Sequence, residues 1–175
     1  MSGKINMTIG CMYSGKSTEI LKRYKRYTIA GKKCLLVKHS IDIRYDENMI
    51  VTHDNIKENA ISCSKLSEID HIVSQYNVIC IDEIQFFDDA PEYCDKWANN
   101  GLIIEVAGLN GSHKRSEFRT ISMLIPISDD IQFVKGVCRN GNDAVFTKCL
   151  INTDKEILVG GTELYSCVDR ITYFS

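Results

Sequence analysis

Several things are missing from this chain, and each absence removes a class of function. Eight cysteines stand at 11, 34, 63, 80, 94, 138, 149 and 167, yet no two are spaced as C-x-x-C. They read as reduced thiols, so a cytoplasmic setting is expected. Charge of one sign is also missing. The 21 basic and 23 acidic residues leave a formal net charge of −2, which argues against a general nucleic-acid binder. No apolar run approaches the ~20 residues of a membrane span, and "MSGK" leads straight into a strand-like stretch without an apolar leader core. Neither a membrane nor a nucleic acid is expected as a partner. There is no internal repeat and no low-complexity tract. The guanine-reading motif N-K-x-D of GTPase switches does not occur. A nucleic-acid motor would need a longer chain and further motifs.

What is present suits one domain with a small appendage: 175 residues, 44% hydrophobic and 25% charged. Apolar runs predict strands at 4–9, 33–39, 77–83, 102–110 and 131–138. Amphipathic spacing predicts helices at 17–30, 64–76 and 88–101, and another from Phe118 as far as Pro126. Residues 41–60 read as polar and irregular. In the first helix, Ile20, Leu21, Tyr24 and Thr28 share a face, leaving Lys22, Arg23, Lys25 and Arg26 outward. That basic side is either a solvated face or a contact for a polyanion or a subunit. Strands that are apolar throughout and alternate with helices imply an α/β fold with a parallel sheet covered on both faces. After residue 138 the pattern changes. "DAVFTKCLI", "KEILVGG" and "DRITYF" read as strands with no clear helix. The expected division is therefore an α/β domain over 1–137 and a β-rich appendage over 138–175.

One stretch carries the chemistry. "GCMYSGKS", Gly10 to Ser17, matches G-x-x-x-x-G-K-[ST] between a predicted strand and a predicted helix. Gly10, Cys11, Met12, Tyr13, Ser14 and Gly15 would point their N–H groups into one concavity for phosphates. The start of the helix, including Ser17 and Thr18, adds its positive end. Lys16 would reach the β- and γ-phosphates of ATP, and the Ser17 hydroxyl could ligate Mg²⁺. In "VICIDE", Asp82 follows four apolar residues, as an acid that holds the Mg²⁺ shell should. Glu83 points the other way along an extended chain and is available to take a proton from an acceptor hydroxyl. These residues point to a small phosphotransferase and leave the acceptor open.

Blocks along the chain narrow it. "GCMYSGKSTE", "HSIDIRY", "THD", "IDEIQFF", "GLNGSHKRSEF" and "VGGTELY" occur in that order. Together they resemble the thymidine kinases of the small tetrameric (type II) family shared by cells and large DNA viruses, across residues 4 to 174. The resemblance implies a RecA-like P-loop core with a C-terminal lasso. It implies transfer of the γ-phosphate of ATP to the 5′-hydroxyl of thymidine, with Mg²⁺ as cofactor and self-association into a homotetramer. It makes Glu83 the general base and sets Arg44 by the reacting phosphate. It places Met12, Asp42, Phe86, Leu109, His113, Phe118 and Thr147 around the nucleoside. Ile157, Leu158, Val159, Gly160 and Gly161 become a loop over the base, with Tyr165 closing the pocket. Two other readings stay open: a P-loop kinase with a different acceptor, and a nucleotide-binding module without activity.

The chain departs from the family pattern in places. Cys11 stands for a proline, Asn110 for an aspartate and His113 for a phenylalanine. The family's two C-x-x-C pairs become Cys138 with Gly141, and Asp169 with Thr172, so no structural zinc is expected. Cys149 and Cys167 are the further candidates for a rearranged site.

Overall fold

The computed structural model describes residues 3–41, 49–51, 57–155 and 160–175. The first strand, β1 (Lys4–Gly10), is buried at every position but its first, which is why it carries no polar alternation. It runs into helix α1 (Lys16–Ile29), which Gly31 ends with φ 76°, its N–H bonded to the Thr28 carbonyl. Strand β2 (Cys34–His39) follows. Residues 41–60 are not wholly irregular. Strands β3 (Met49–Val51) and β4 (Lys57–Asn59) pair antiparallel, and β5 (Ile61–Cys63) joins the edge of the main sheet. These strands are three residues long, too short for period-2 alternation to reveal.

The helix expected over 64–76 is shorter and mixed. A 3₁₀ turn (Leu66–Ile69) leads into the single turn α2 (Asp70–Val73). Its start is set by Glu68, which accepts from the Ser64 and Lys65 N–H groups. Then come β6 (Val78–Ile81), a 3₁₀ turn (Ile84–Phe86), α3 (Ala90–Asn99), β7 (Ile103–Leu109), α4 (Arg119–Leu124) and β8 (Asp130–Val134). The strand expected at 131–138 breaks at Lys135. Its end, β9 (Gly136–Val137), turns away to pair with β10 (Asp143–Ala144).

The main sheet has six strands in the order β5-β2-β6-β7-β1-β8, all parallel. Alternate residues feed opposite faces. Ile79 and Ile81 join Trp97, Phe87 and Leu124 under α3 and α4, while Val78 and Cys80 join Ile20 and Leu21 under α1. Arg23 does not point outward, as α1's basic pattern suggested. Its guanidinium donates to the buried Glu105 carboxylate at 2.7 Å and to Gln132 at 2.7 Å. Tyr27, on the same side, donates to Glu105 at 2.8 Å, and Thr28 is exposed.

In the appendage, β11 (Phe146–Cys149) pairs antiparallel with β12 (Tyr165–Val168). "DRITYF" is not a strand. It forms the short helix α5 (Arg170–Phe174), because the Asp169 side chain caps it by accepting from the Thr172 N–H. Most of "KEILVGG" lies outside the described residues.

Candidate active site

The register of the sheet brings three strand ends together. Gly10 of β1 pairs with Leu109 of β7, and Ile81 of β6 pairs with Val106, three residues earlier on β7. The P-loop, the Asp82–Glu83 pair and the Leu109 segment therefore share one rim, the carboxyl end where open parallel sheets bind ligands.

The loop needs its glycines. A Cβ on Gly10 would lie 2.6 Å from Ser14 Oγ and would strike the Val134 carbonyl, and Gly15 adopts φ 83° at the start of α1. Tyr13 is also left-handed, with φ 60°. Ser14 Oγ donates to the Cys11 carbonyl at 2.8 Å. The Lys16 ammonium lies folded across the loop, donating to the Cys11 carbonyl at 2.6 Å, and is only 8% exposed. The Met12 N–H donates to Thr147 Oγ1 at 3.0 Å, and Cys11 Sγ to the Ala144 carbonyl at 3.3 Å. The appendage is thus a wall of the phosphate loop.

Asp82 is 5% exposed, and its Oδ1 accepts from the Glu83 N–H at 3.0 Å. Burial, then the neighbouring Glu83 charge, pushes its carboxyl above the usual aspartate range, while Ser17 and Lys16 act the other way. The Ser17 hydroxyl and the Asp82 carboxylate are oxygen ligands of the kind Mg²⁺ accepts. Glu83 sits in the left-handed region, φ 54° and ψ 40°, a conformation that a non-glycine residue holds only when its surroundings impose it. Its Oε2 accepts from Gln85 Nε2 at 2.6 Å, and Gln85 Oε1 accepts from the Leu109 N–H at 3.1 Å.

The expected pocket residues form two groups beside the loop. Phe86 and Phe118 meet edge to face at 6.4 Å, with His39 tilted against Phe86 at 5.8 Å. His39 Nδ1 accepts from the Ile41 N–H, and burial holds its pKa below the ordinary value. In the second group, His113 lies 6.0 Å from the Tyr165 ring. Its Nε2 bonds the Lys155 carbonyl at 2.9 Å, and its own carbonyl accepts from Tyr173 Oη at 2.7 Å. Met12 and Thr147 are linked to each other by their hydrogen bond, and Thr147 and Tyr165 lie on the paired strands β11 and β12. Gly160 and Gly161 are half-buried, and the Gly161 carbonyl accepts from the Tyr165 N–H at 3.0 Å. Asp42, Arg44, Ile157, Leu158 and Val159 lie outside the described residues.

The aligned zinc positions hold hydrogen bonds instead of a cation cage. The Asp169 carboxylate accepts from Asn140 and Asn142, each at 2.8 Å, and from the Thr172 N–H. Cys138 Sγ faces Thr172 Oγ1 at 3.7 Å. Among the described residues, no group of three or more His, Cys, Asp or Glu could hold a metal ion. One thiol and an already saturated carboxylate do not fit zinc, which takes four Cys, His or acidic ligands.

Sequence reading missed Gln85, His39 and Tyr173. Gln85 stood inside the quoted "IDEIQFF", where its offset of two from Glu83 was the available signal. His39 and Tyr173 act through contacts between distant segments, and their sequence neighbourhood gives no sign of that.

A family model described as thymidine kinase matches residues 3–173. The thymidine kinase of Raccoon poxvirus is 42% identical over 175 residues, covering 99% of this chain and 98% of its own. That of Choristoneura fumiferana entomopoxvirus is 42% identical over 97% of this chain and 95% of its own. Thymidine kinase 1 of Dictyostelium discoideum is 38% identical over the whole chain and 79% of its own length. With a P-loop and an acidic pair on one rim, and full-length similarity of this degree, the chain belongs to the thymidine kinase family.

Proposed function

We propose that the chain moves the γ-phosphoryl group of ATP to the 5′-hydroxyl of thymidine, releasing ADP and dTMP. The observation that carries this reading is the placement of Glu83. It follows Asp82, whose carboxylate accepts its N–H, and is tied through Gln85 to the Leu109 N–H at the end of β7. Gly10 to Thr18 bind the phosphates through backbone N–H groups and the start of α1. Lys16 leaves the Cys11 carbonyl for the β- and γ-phosphates and offsets charge on the transferring group. Ser17 and Asp82 would hold Mg²⁺, which when bound neutralises phosphate oxygens. Glu83 accepts the proton of the attacking hydroxyl.

Phe86, Leu109, Phe118, Met12, Thr147, His113 and Tyr165 enclose the nucleoside and exclude water. Gly160 and Gly161 permit close backbone approach to the base. Asp42, Arg44, Ile157, Leu158 and Val159 keep the roles that family resemblance implies: Arg44 at the reacting phosphate, the others around the nucleoside. Residues 138–175 form the appendage that carries the lid. The eight cysteines of the chain are free thiols, the state that a reducing cytoplasm maintains. No helix of the described residues is long and apolar enough to cross a membrane. The assembly is a homotetramer, to be measured by light scattering with and without nucleotide.

The deciding experiment is an ATP-dependent assay over the four deoxynucleosides. Thymidine should give the highest kcat/KM. A purine deoxynucleoside phosphorylated faster under the same conditions would refute thymidine as acceptor. No turnover of any, with ATP still bound, would favour a binding module.

A further inference from the structure

We propose that Gln85 is the positioning residue of this site, an amide clamp that fixes the Glu83 carboxylate against the strand end carrying Leu109. The proposal rests on the reading of Glu83 as the base. Gln85 is 5% exposed, on the 3₁₀ turn just past Glu83. Its Nε2 donates to Glu83 Oε2 at 2.6 Å, and its Oε1 accepts from the Leu109 N–H at 3.1 Å. A carboxylate only accepts and a backbone N–H only donates, so the amide has one orientation that serves both.

Three further observations bear on the clamp. Glu83 holds a left-handed backbone, φ 54°, which needs outside support. The Phe86 N–H returns to the Glu83 carbonyl at 3.1 Å, closing the turn that presents both side chains. On β7, Gly108 leaves room for the amide: a Cβ there would lie 2.9 Å from Gln85 Oε1 and 2.7 Å from Ile84 Cγ2. The strand next to the nucleoside pocket is bare where the clamp crosses it. One side chain thus holds the base and also the backbone at Leu109, so base and acceptor wall keep a fixed separation. Proton transfer demands that, since a base must lie within hydrogen-bond reach of its proton.

The test is a double-mutant cycle on the full chain. Gln85→Glu keeps size and the acceptor for Leu109 but sets a second carboxylate against Glu83. Gln85→Met, uncharged and of similar length, makes neither bond and serves if paired carboxylates unfold the turn. ADP affinity checks folding. With Glu83 present, kcat should fall about 10- to 100-fold, the loss of one charge-assisted hydrogen bond, while KM for ATP stays within about twofold. In the Glu83→Gln background the same change should cost less than about threefold, because the group it positions is gone. An equal loss in both backgrounds means Gln85 only supports the fold, and overturns the proposal. So does a kcat within about twofold of wild type. Near wild-type turnover by Glu83→Gln alone overturns the base assignment and the proposal with it. Loss by Glu83→Gln without loss by the Gln85 variants overturns the clamp alone.

Discussion

Replacing Glu105 by glutamine should unfold this protein several degrees earlier without touching its chemistry. Glu105 lies in mid-β7, 1% exposed, with Asn6 Nδ2 at 2.6 Å, Arg23 Nη1 at 2.7 Å and Tyr27 Oη at 2.8 Å. It joins β1, β7 and the middle turns of α1. Glutamine is isosteric, so no cavity opens. Its amide can still accept from two of the three donors, but the charge that balances Arg23 is lost. Breaking a buried pair by removing one partner costs about 3–5 kcal/mol. The Arg23 side chain is 19% exposed, so water recovers part of that, and about 2–3 kcal/mol is the working figure. For a chain of this size each kcal/mol moves Tm by about 2–4 °C, giving a drop of about 4–12 °C. The assay is a thermal melt followed by circular dichroism, with kcat measured at 25 °C. A Tm within about 2 °C of wild type would show that the network contributes no net stability. A matching loss of kcat at a temperature where the variant is folded would refute the separation of scaffold from chemistry.

Other expectations follow from the same structure. Glu83→Gln should lower kcat by about 10²-fold or more while ATP binding persists; equilibrium titration with a fluorescent ATP analogue separates the two. His113→Phe keeps the ring beside Tyr165 but loses the bond to the Lys155 carbonyl, worth about 1 kcal/mol. KM for thymidine should rise about fivefold, and an unchanged KM would place His113 outside the pocket. Asp169 is held below the ordinary aspartate range, first by the Thr172 side chain and then by Asn142 and Asn140. A depressed folded pKa supplies stability above the unfolded value near 4 and loses it as pH falls. Asp169→Asn should therefore be less stable at pH 7 and show a shallower decline from about pH 5 to pH 2 in urea titrations. Elemental analysis of dialysed protein should find well under one zinc per chain; about one retained zinc would point to a rearranged site at Cys138, Cys149 and Cys167.

The central strands and the phosphate loop were legible because both depend on local pattern. Strands buried on both faces must be apolar throughout, and a phosphate loop needs its glycines, its lysine and its hydroxyl at fixed offsets. The place of Asp82 just past the end of β6 was legible for the same reason, but Glu83 does not alternate along an extended chain as expected: it turns left-handed, with φ 54°. What escaped depends on partners far along the chain. The outward reading of Arg23 failed because Glu105, 82 residues away, supplies an acceptor that no helical wheel can show. "DRITYF" has an alternating look, but the Asp169 cap decides for a helix. The strand at 131–138 looked continuous because apolar residues resume at Val137 after Lys135 and Gly136, but the pairing of β8 ends at Val134, beside Gly10. Only the third dimension shows Gln85 crossing to β7.

The contact between phosphate loop and appendage has a consequence for how this chain can be rearranged. Cys11, fully buried, packs with Cys138, Ala144 and Val168. Gly136 lies so close beneath the loop that a Cβ there would come within 3.3 Å of the Tyr13 carbonyl. A fragment stopped at residue 137 would strip this apolar wall from the loop and leave the Met12 N–H without its threonine partner. Such a fragment is expected to bind ATP poorly even though it retains every residue of the glycine motif. Transplanting the motif with its flanking strand and helix into another scaffold would fail for the same reason, and a chimera that exchanges appendages between relatives must carry both sides of the seam. The unit of exchange, for nature or for an engineer, is the whole chain.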